Sequence, residues 1–244
     1  MSRYLIDTSE WSRDSVELRP ADAHHLGHVL RAEPGDPVTL FDGKGREALG
    51  HVAAIDGKRV TVAITERSET PRRSVAVTLI QAIPKAPRMD LIVEKATELG
   101  VSAIVPVASA HCVVHFDEGK AENRRLRWQR ISVSAARQCK TSWIPEVAPV
   151  SNLQDYLAGA RFDLLLVGSL IKTAQPFHDA MQLQRARPLH SVGLLIGPEG
   201  DLTQDETDVA CRAGAIPVSF GSNVLRVETA AIYGLSVLMY ELAG

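Results

Sequence analysis

The chain has 244 residues, of which 45% are hydrophobic and 23% are charged, an ordinary composition for a globular protein of one large or two modest domains. Its formal net charge of −2 gives no overall attraction to nucleic acid, so any basic surface must be local. Three cysteines without metal-like spacing, an N-terminus unlike a signal peptide and the lack of an apolar run of about 20 residues argue against disulfides and a membrane span, and predict a cytoplasmic protein.

Residues 1–67 have the sequence pattern of a small domain that consists mostly of strands. A short helix is predicted over 21–32 (ADAHHLGHVLRA). Three runs of alternating polarity follow, separated by turn residues, at 36–43, 47–55 and 58–66. The polar segment RSETPRRS at 67–74 contains Pro71 and predicts a linker.

From residue 75 onward, strands alternate with helices. Strands are predicted at 75–83, 101–109, 161–169, 191–200 and 215–221. Helices are predicted at 88–100, 120–139, 203–214 and 227–243. The runs at 161–169 and 191–200 are continuously apolar, as in strands that are buried on both faces of a parallel sheet. The sequence therefore predicts a domain at 1–70 and an α/β domain with a parallel sheet at 74–244.

The stretch LLIGPEGDLT (194–203) combines the end of a strand, a glycine-bearing corner and the start of a helix. Thr203 and Glu206 have capping-box spacing, so a helix is expected to begin at Thr203. Helix N-termini favour anions, yet acids crowd this one and no basic residue is near in sequence: Glu199, Asp201, Asp205, Glu206 and Asp208. A cationic ligand without phosphate, such as S-adenosylmethionine, fits better than a phosphate. The alternative is that these acids only complement the helix dipole and face water.

A second corner, SFGSNVLRVETAA (219–231), also runs from a strand through a glycine into a helix. Because open α/β sheets bind ligands at strand-end corners, the two corners together predict a ligand site. Gly197 and Gly200 are expected to let the backbone approach that ligand closely, and an ordinary tight turn is the alternative.

Seven basic residues stand against one acid between residues 120 and 140, a net charge of +6. Four of the bases recur at spacings that keep them on one helix face: Lys120, Arg127, Arg130 and Arg137. A solvated helix usually mixes both signs, so this face predicts contact with RNA phosphates. His24 and His28 have the i, i+4 spacing of metal ligands, but no acid or cysteine completes a set and no metal is predicted.

The segments LLIGPEGDLTQDE and FGSNVLRVETAA resemble the SPOUT methyltransferases and, more narrowly, the ribosomal RNA small subunit methyltransferase E family. Matching segments extend over nearly the whole chain: HHLGHVLRAEPGD, FDGKG, RMDLIVEKATELGV and RWQRISVSAARQC. The resemblance implies a PUA-like β-barrel RNA-binding domain, then an α/β domain with a parallel sheet and a trefoil knot, in a homodimer. It also implies methyl transfer from S-adenosylmethionine to N3 of a uridine in 16S ribosomal RNA.

The corners and the resemblance together predict the site residues. Expected cofactor contacts are Leu170, Ile196, Gly197, Pro198, Glu199, Gly200, Phe220, Gly221, Leu225 and Arg226. Arg226 is expected either to bind the target nucleotide's phosphate or to pair with Glu228, and both are candidate catalytic residues. Lys85, Arg88 and Arg226 could stabilise a developing uracil anion, and no general base is predicted. Expected RNA contacts are His25, Arg31, Lys85, Arg88, Arg127 and Arg130.

The chain departs from the family pattern at four positions. Asp201 replaces a glycine, Val227 replaces a threonine and Arg137 replaces a glutamate. The family also has an arginine near the position of Asn223. Two alternatives stay open: a SPOUT enzyme that acts on transfer RNA or on ribose, and an RNA-binding relative without activity. Residues 230–243 are apolar on every face, so this helix is expected to be covered on all sides by earlier elements or a partner subunit.

Overall fold

The computed structural model describes residues 2–85, 87–112, 118–184 and 188–242. The chain divides into two compact units. The first consists of residues 1–72 and 136–144, and the second of residues 73–135 and 145–244. None of the described helices is long and apolar enough to cross a lipid bilayer.

A five-stranded sheet in the order β1-β3-β4-β5-β2 forms the first unit. Its strands are Ser2–Leu5 (β1), Ser15–Glu17 (β2), Pro37–Phe41 (β3), Arg46–Asp56 (β4) and Arg59–Glu69 (β5). The pair β1 and β3 is parallel, whereas the other pairs are antiparallel. Alternate residues along these strands, such as Val52, Val60 and Val62, are fully buried in one apolar core. The three alternating runs of the sequence are thus strands, as predicted.

The helix predicted over 21–32 is two short helical segments. An α-helix at Pro20–His24 (α1) continues as a π-helix at His25–Val29. Ala23 and Leu26 are buried in the core of the first unit, which accounts for the amphipathic pattern of this stretch. The π-helix is closed by a hydrogen bond from the amide of Leu30 to the carbonyl of His25 (3.0 Å).

Residues 136–144 join the first unit through polar contacts. The guanidinium of Arg3 donates to the carbonyl oxygens of Lys140 (2.8 Å) and Thr141 (3.0 Å). Arg137 binds both carboxylate oxygens of the buried Asp22, at 2.8 and 3.0 Å. Arg137 is therefore neutralised within this unit and does not belong to a free basic helix face, contrary to the sequence expectation.

An eight-stranded sheet forms the second unit, in the order β11-β13-β10-β12-β6-β7-β8 with β9 beside β7. Every pair in it is parallel, as predicted. The strands are Ala76–Ala82 (β6), Ala103–Ala108 (β7), Glu146–Val147 (β8), Ser151–Asn152 (β9), Leu164–Gly168 (β10), Gln175–Pro176 (β11), Ser191–Ile196 (β12) and Ala215–Ser219 (β13).

Helices cover both faces of this sheet. They are Arg88–Leu99 (α2), Glu118–Cys139 (α3), Leu153–Gly159 (α4), Phe177–Gln184 (α5), Gln204–Arg212 (α6) and Val227–Glu241 (α7). Leu79 on β6 belongs to the core that includes α2, α5 and α7, while the next residue, Ile80, belongs to the core that includes α4 and α6. Helix α2 ends at Gly100 in the left-handed conformation, as the sequence predicted.

Other parts of the chain also differ from the sequence expectation. Strand β5 continues to Glu69, into the segment predicted as a linker, because residues 66–69 pair with β4 and Glu69 forms an ion pair with Arg46 (3.0 Å). The elements that were not predicted are strands β1 and β2, helices α4 and α5, and the two-residue strands β8, β9 and β11. The N-cap of α4, Asn152, accepts a hydrogen bond from the amide of Gln154 (2.8 Å) and was the available signal.

Candidate functional site

A cavity of about 600 Å³ lies at the carboxyl ends of β10, β12 and β13. Because parallel strands end at the same edge of a sheet, the loops that follow them meet there. The lining comes from three segments and one helix start: residues 168–172 and Ala174, residues 196–199 and Asp201, residues 219–227 and Ala230, and Arg88. The two corners found in the sequence are therefore adjacent in space and share one cavity.

The corner after β12 is a tight turn that approaches the cavity at Gly197. A β-carbon at Gly197 would lie 3.0 Å from the Oδ1 of Asp201 and 3.1 Å from the amide nitrogen of Leu202. Gly197 lines the cavity, whereas Gly200 does not. A β-carbon at Gly200 would instead meet the imidazole of His111 at 3.2 Å. Gly200 therefore lies against a neighbouring loop, and its predicted contact with the cofactor stays a prediction.

Helix α6 begins at Thr203 with the predicted capping box. The hydroxyl of Thr203 accepts from the amide of Glu206 (3.2 Å), and the carboxylate of Glu206 accepts from the amide of Thr203 (2.9 Å). The same carboxylate, which is buried, accepts a hydrogen bond from the amide of Ala110 (2.7 Å). Glu206 thereby anchors the corner to the loop after β7, so it serves the fold and does not face a ligand.

Arg88 joins the two corners. Its Nη1 donates to the Oε1 of Glu199 at 2.9 Å, and its Nε lies 3.6 Å from the Oε2 of Glu228. The amide of Lys85 also donates to the Oε1 of Glu199, at 2.9 Å. Arg88, at the first position of α2, thus lies between the corner after β12 and the first turn of α7. These contacts hold Glu199 in the loop.

The residues close to this corner in sequence do not account for all the charge around the cavity. Glu199 and Asp201 line the cavity, but so do three cations: Arg88, Lys172 and Arg226. These cations are distant from residues 194–203 in sequence and were not counted in the argument against a phosphate ligand. Basic residues are absent near this corner in sequence but not in space, because folding brings three cations to the cavity from other segments.

Arg226 lines the cavity as the N-cap residue of α7 and is exposed. Within the described part of the chain, Arg88 and not Arg226 pairs with Glu228. Of its two predicted roles, pairing with Glu228 therefore does not occur, and its guanidinium is available to a ligand.

Nine of the ten predicted cofactor contacts line the cavity, and their role there stays a prediction. They are Leu170, Ile196, Gly197, Pro198, Glu199, Phe220, Gly221, Leu225 and Arg226. Sequence reasoning missed several lining residues: Arg88 as a wall residue, Gly168, Ser169, Ile171, Lys172, Ala174, Asp201, Ser219, Ser222, Asn223, Val224, Val227 and Ala230. Most are neighbours of predicted residues, so a wider window around each strand end would have found them.

The predicted RNA contacts lie on different elements of the two units. In the first unit, His25 is exposed and its Nδ1 is 3.0 Å from the hydroxyl of Tyr4, while Arg31 is exposed with φ +53°. In the second unit, Lys85 and Arg88 adjoin the corner after β12. The other two lie on α3: Arg127 forms an ion pair with Asp90, and Arg130 is exposed.

The histidine pair of α1 and the π-helix shows ring contact and no metal set. The rings of His24 and His28 are 4.9 Å apart. Among the described residues there is no group of three or more His, Cys, Asp or Glu side chains that could hold a metal ion.

The fold and the cavity define a class: a parallel α/β sheet with a ligand site at its strand ends, in a chain that also carries a small β unit. A family profile described as an RNA methyltransferase domain matches residues 71–239, and one described as an RNA methyltransferase PUA domain matches residues 18–65. Since the first match covers more than half of the sequence, the chain belongs to the RNA methyltransferases. Its identity of 30% over nearly the full length to a ribosomal RNA small subunit methyltransferase E places it in that family.

Three similar proteins support that assignment. The ribosomal RNA small subunit methyltransferase E of Bacillus subtilis is 29% identical over 99% of this chain and 97% of its own. A methyltransferase from Legionella pneumophila, solved with the bound cofactor SAM, is 33% identical with a TM-score of 0.87, covering 98% and 96% of the two chains. The ribosomal RNA small subunit methyltransferase E of Neisseria gonorrhoeae, bound to S-adenosyl methionine, is 30% identical with a TM-score of 0.86, covering 98% and 97%.

These likenesses confirm the predicted fold class, an α/β SPOUT domain that follows a PUA-like domain. The trefoil knot implied by the resemblance stays a prediction.

Proposed function

We propose that this chain transfers a methyl group from S-adenosylmethionine to N3 of a uridine in 16S ribosomal RNA of the small ribosomal subunit. Membership of the family supports the reaction type, and the names of its relatives support ribosomal RNA of the small subunit as substrate. Two similar structures that hold the cofactor support S-adenosylmethionine. The observation that carries the proposal in this chain is the cavity shared by the two corners.

The cavity fits S-adenosylmethionine in size and in lining. Its volume of about 600 Å³ lies within the range of small-molecule sites, roughly 300–1,000 Å³. Ile196, Leu225 and Val227 offer apolar surface for the adenine, and the carboxylates of Glu199 and Asp201 are acceptors for the cationic part. When bound there, the cofactor supplies a methyl group activated by its sulfonium.

The protein's own work is to align the base and to favour its anion. N3 of uracil carries a proton at neutral pH, so attack on a methyl group requires that this proton leave. Arg226 is the cation of the cavity wall best suited to stabilise the developing charge, since Arg88 is already held by two carboxylates. Lys85, which is exposed beside the corner, is a second candidate. Glu228, whose Oε2 lies 3.6 Å from the Nε of Arg88, acts on Arg88 as a positioning residue.

The remaining predicted residues form the proposed contact with RNA. His25 and Arg31 would bind it from the PUA-like domain, which we assign to residues 1–70. Arg127 and Arg130 would bind it from the methyltransferase domain, which we assign to residues 74–244. We also propose a homodimer. The proposed location is the cytoplasm, because the small ribosomal subunit is found there.

Cofactor binding is tested at Ala174, which lines the cavity beside the exposed Thr173, which does not. Ala174→Phe should fill the cavity and abolish binding of S-adenosylmethionine in calorimetry. The matched control Thr173→Phe adds the same side chain one residue away and should bind as the unaltered protein does. Equal affinities of both variants for S-adenosylmethionine would show that the ligand binds elsewhere.

The reaction is tested on isolated small ribosomal subunits with labelled S-adenosylmethionine. The expected product is 16S ribosomal RNA with one 3-methyluridine, identified by digestion and mass spectrometry. Label on transfer RNA or on a ribose oxygen would support the first alternative, an enzyme with another RNA target. Tight RNA binding without any methyl transfer would support the second, an inactive relative.

A further inference from the structure

Five charged side chains line the cavity at the strand ends, and they differ in whether they have a partner. Arg88 and Glu199 form an ion pair at 2.9 Å, so their charges offset each other. Asp201 is the other carboxylate of the lining, and Lys172 and Arg226 are the other cations. With three cations and two carboxylates, the lining has one positive charge in excess.

The excess positive charge belongs to side chains that are open to solvent. Lys172 and Arg226 are exposed. In the part of the chain that the structure describes, neither side chain has an ion pair or a hydrogen bond. A cation that stabilised its own loop would have a carboxylate or a carbonyl oxygen as partner. These two side chains are therefore available to an anion that reaches the cavity from solvent.

The loop that carries Lys172 is held by backbone hydrogen bonds. The amide of Ser169 donates to the carbonyl of Val218 on β13 (3.0 Å), which fixes the start of the loop beside the strand that leads into the second corner. The amide of Ala174 donates to the carbonyl of Ile171 (3.0 Å) and closes a turn with Lys172 at its second position. The backbone of Lys172 is thus fixed at the cavity, and only its side chain has to be ordered by a ligand.

The cofactor alone does not account for two unpaired cations. S-adenosylmethionine has a net charge of +1, since its sulfonium adds to an amino acid group that is neutral overall. Its one anionic group is a carboxylate, whereas an RNA strand has a phosphate at every nucleotide. A lysine ammonium binds phosphate as a point charge, without the fixed geometry that an arginine fork requires. An exposed lysine at the cavity suits a strand that approaches from solvent.

We propose that Lys172 binds a backbone phosphate of the RNA beside the target nucleotide and so positions the base over the cofactor; the inference rests on the proposed function. Arg226, the other unpaired cation of the lining, then stays available for the charge that develops on uracil. The two cations of the cavity thus have separate tasks, one on the RNA backbone and one on the base.

Variants of the full chain at one position test the phosphate contact. Lys172→Gln should weaken binding of small-subunit RNA several-fold and reduce its salt dependence by about one unit of slope. Lys172→Arg keeps the charge and should restore both. The control Lys95→Gln removes a lysine on α2 that faces Glu94 and Glu98 and does not line the cavity, so the slope should not change. Filter binding between about 50 and 200 mM salt gives the slopes, and thermal unfolding checks that each variant folds.

Calorimetry without RNA separates a phosphate from the cofactor's own carboxylate. S-adenosylmethionine and S-adenosylhomocysteine share that carboxylate, so a lysine that bound it would contribute to the affinity of both. If Lys172 binds RNA phosphate, Lys172→Gln should bind both ligands as the unaltered protein does. With small subunits as substrate, the same variant should show a several-fold lower kcat/KM.

The outcomes distinguish this inference from the proposed function. A lower slope in Lys172→Gln that Lys172→Arg restores, with unchanged cofactor affinity, supports the inference. A slope equal to that of the unaltered protein overturns it, and so does a loss of affinity for both cofactor ligands without RNA. If Lys172→Gln does not fold, the same measurements on Lys172→Ser decide.

The target of methylation is a separate result. Label on another RNA or on a ribose oxygen would refute the proposed target, while the slope measured with Lys172→Gln on that RNA would still test the phosphate contact. If the unaltered protein binds S-adenosylmethionine but no RNA, the proposed function fails and the inference fails with it.

Discussion

Arg31 and Asp201 have backbones in the left-handed region, with φ of +53° and +60°. For residues other than glycine this conformation costs about 1 kcal/mol, although aspartate tolerates it better than most. Asp201 stands where the family usually has a glycine, and its conformation explains that preference. Arg31 follows the π-helix in a position where glycine commonly ends helices. Arg31 is also one of the predicted RNA contacts, so we expect its guanidinium to offset this cost by binding RNA.

Arg31→Gly should therefore separate stability from RNA binding. Relief of the left-handed strain should leave the free energy of unfolding unchanged or raise it by about 1 kcal/mol. The same change should weaken binding of small-subunit RNA several-fold, because one contact to phosphate is lost. Urea unfolding and filter binding measure the two effects, and Asp201→Gly is the control for the gain in stability. Loss of stability without loss of RNA affinity would assign Arg31 to the fold.

Sequence reasoning worked at single residues where the deciding contacts were local. The capping box of Thr203 and Glu206 spans three positions and was predicted correctly. The contact of Glu206 with Ala110 and that of Arg88 with Glu199 join segments about a hundred residues apart and could not be predicted. Neither residue type nor spacing carries information about such partners, so the charge of the cavity was misjudged.

At the scale of elements, α3 shows how ion pairs alter a pattern read from charge alone. Arg125 pairs with Glu122 on the same helix (2.6 Å), and Arg127 pairs with Asp90 on α2. Arg137 is held by Asp22. Glu122 is already included in the net charge of +6, but Asp90 and Asp22 lie outside the counted range and offset two of the positive charges, so the count overstates the charge of this helix. Arg130, exposed on the same helix, is the stronger candidate for contact with RNA.

Two substitutions on α3 test this ranking. Arg130→Gln should reduce the salt dependence of RNA binding by about one unit of slope, as expected for one lost phosphate contact. Arg127→Gln should change the slope less, because Asp90 already offsets its charge. Binding titrations between about 50 and 200 mM salt give the slopes. Equal slopes for the unaltered protein and Arg130→Gln would show that Arg130 does not contact RNA phosphates.

Elements with strong periodicity or apolar runs were predictable, and very short ones were not. Strands β6, β10 and β12 are long enough for continuous burial to mark them in the sequence. Strands β8, β9 and β11 have two residues each, too few to show a pattern. They form because neighbouring strands offer free backbone groups at the sheet edge, which depends on the assembled sheet.

At the scale of the whole molecule, no feature of the sequence marks residues 136–144 for the first unit. Their contacts, such as the hydrogen bond from the amide of Gly45 to the carbonyl of Ser142 (2.9 Å), join segments far apart in the chain. A domain boundary predicted from composition divides the chain into consecutive segments. It therefore cannot assign a later segment, such as residues 136–144, to an earlier unit.

One face of the last helix, α7, is exposed in the part of the chain that the structure describes. Val227, Ala231, Leu235 and Leu238 are buried on the face toward the sheet. The opposite face presents Tyr233 and Tyr240, with exposed fractions of 45% and 81%. Of the two covers expected for this helix, earlier elements of the chain leave these tyrosines exposed. The exposed tyrosines fit the remaining alternative, a partner subunit, because aromatic side chains are enriched at such interfaces.

We expect a homodimer in which the exposed face of α7 packs across a two-fold axis. Tyr240→Glu should place a charge in that interface and give a monomer in sedimentation at micromolar concentration. The ring of Tyr233 lies 5.7 Å from that of Phe220, which lines the cavity, so the monomer should also bind S-adenosylmethionine more weakly. Leu126→Glu is the control, since it adds the same charge at a half-exposed position on α3. If the unaltered protein sediments as a monomer and still methylates RNA, the tyrosine face is ordinary surface and the dimer does not exist.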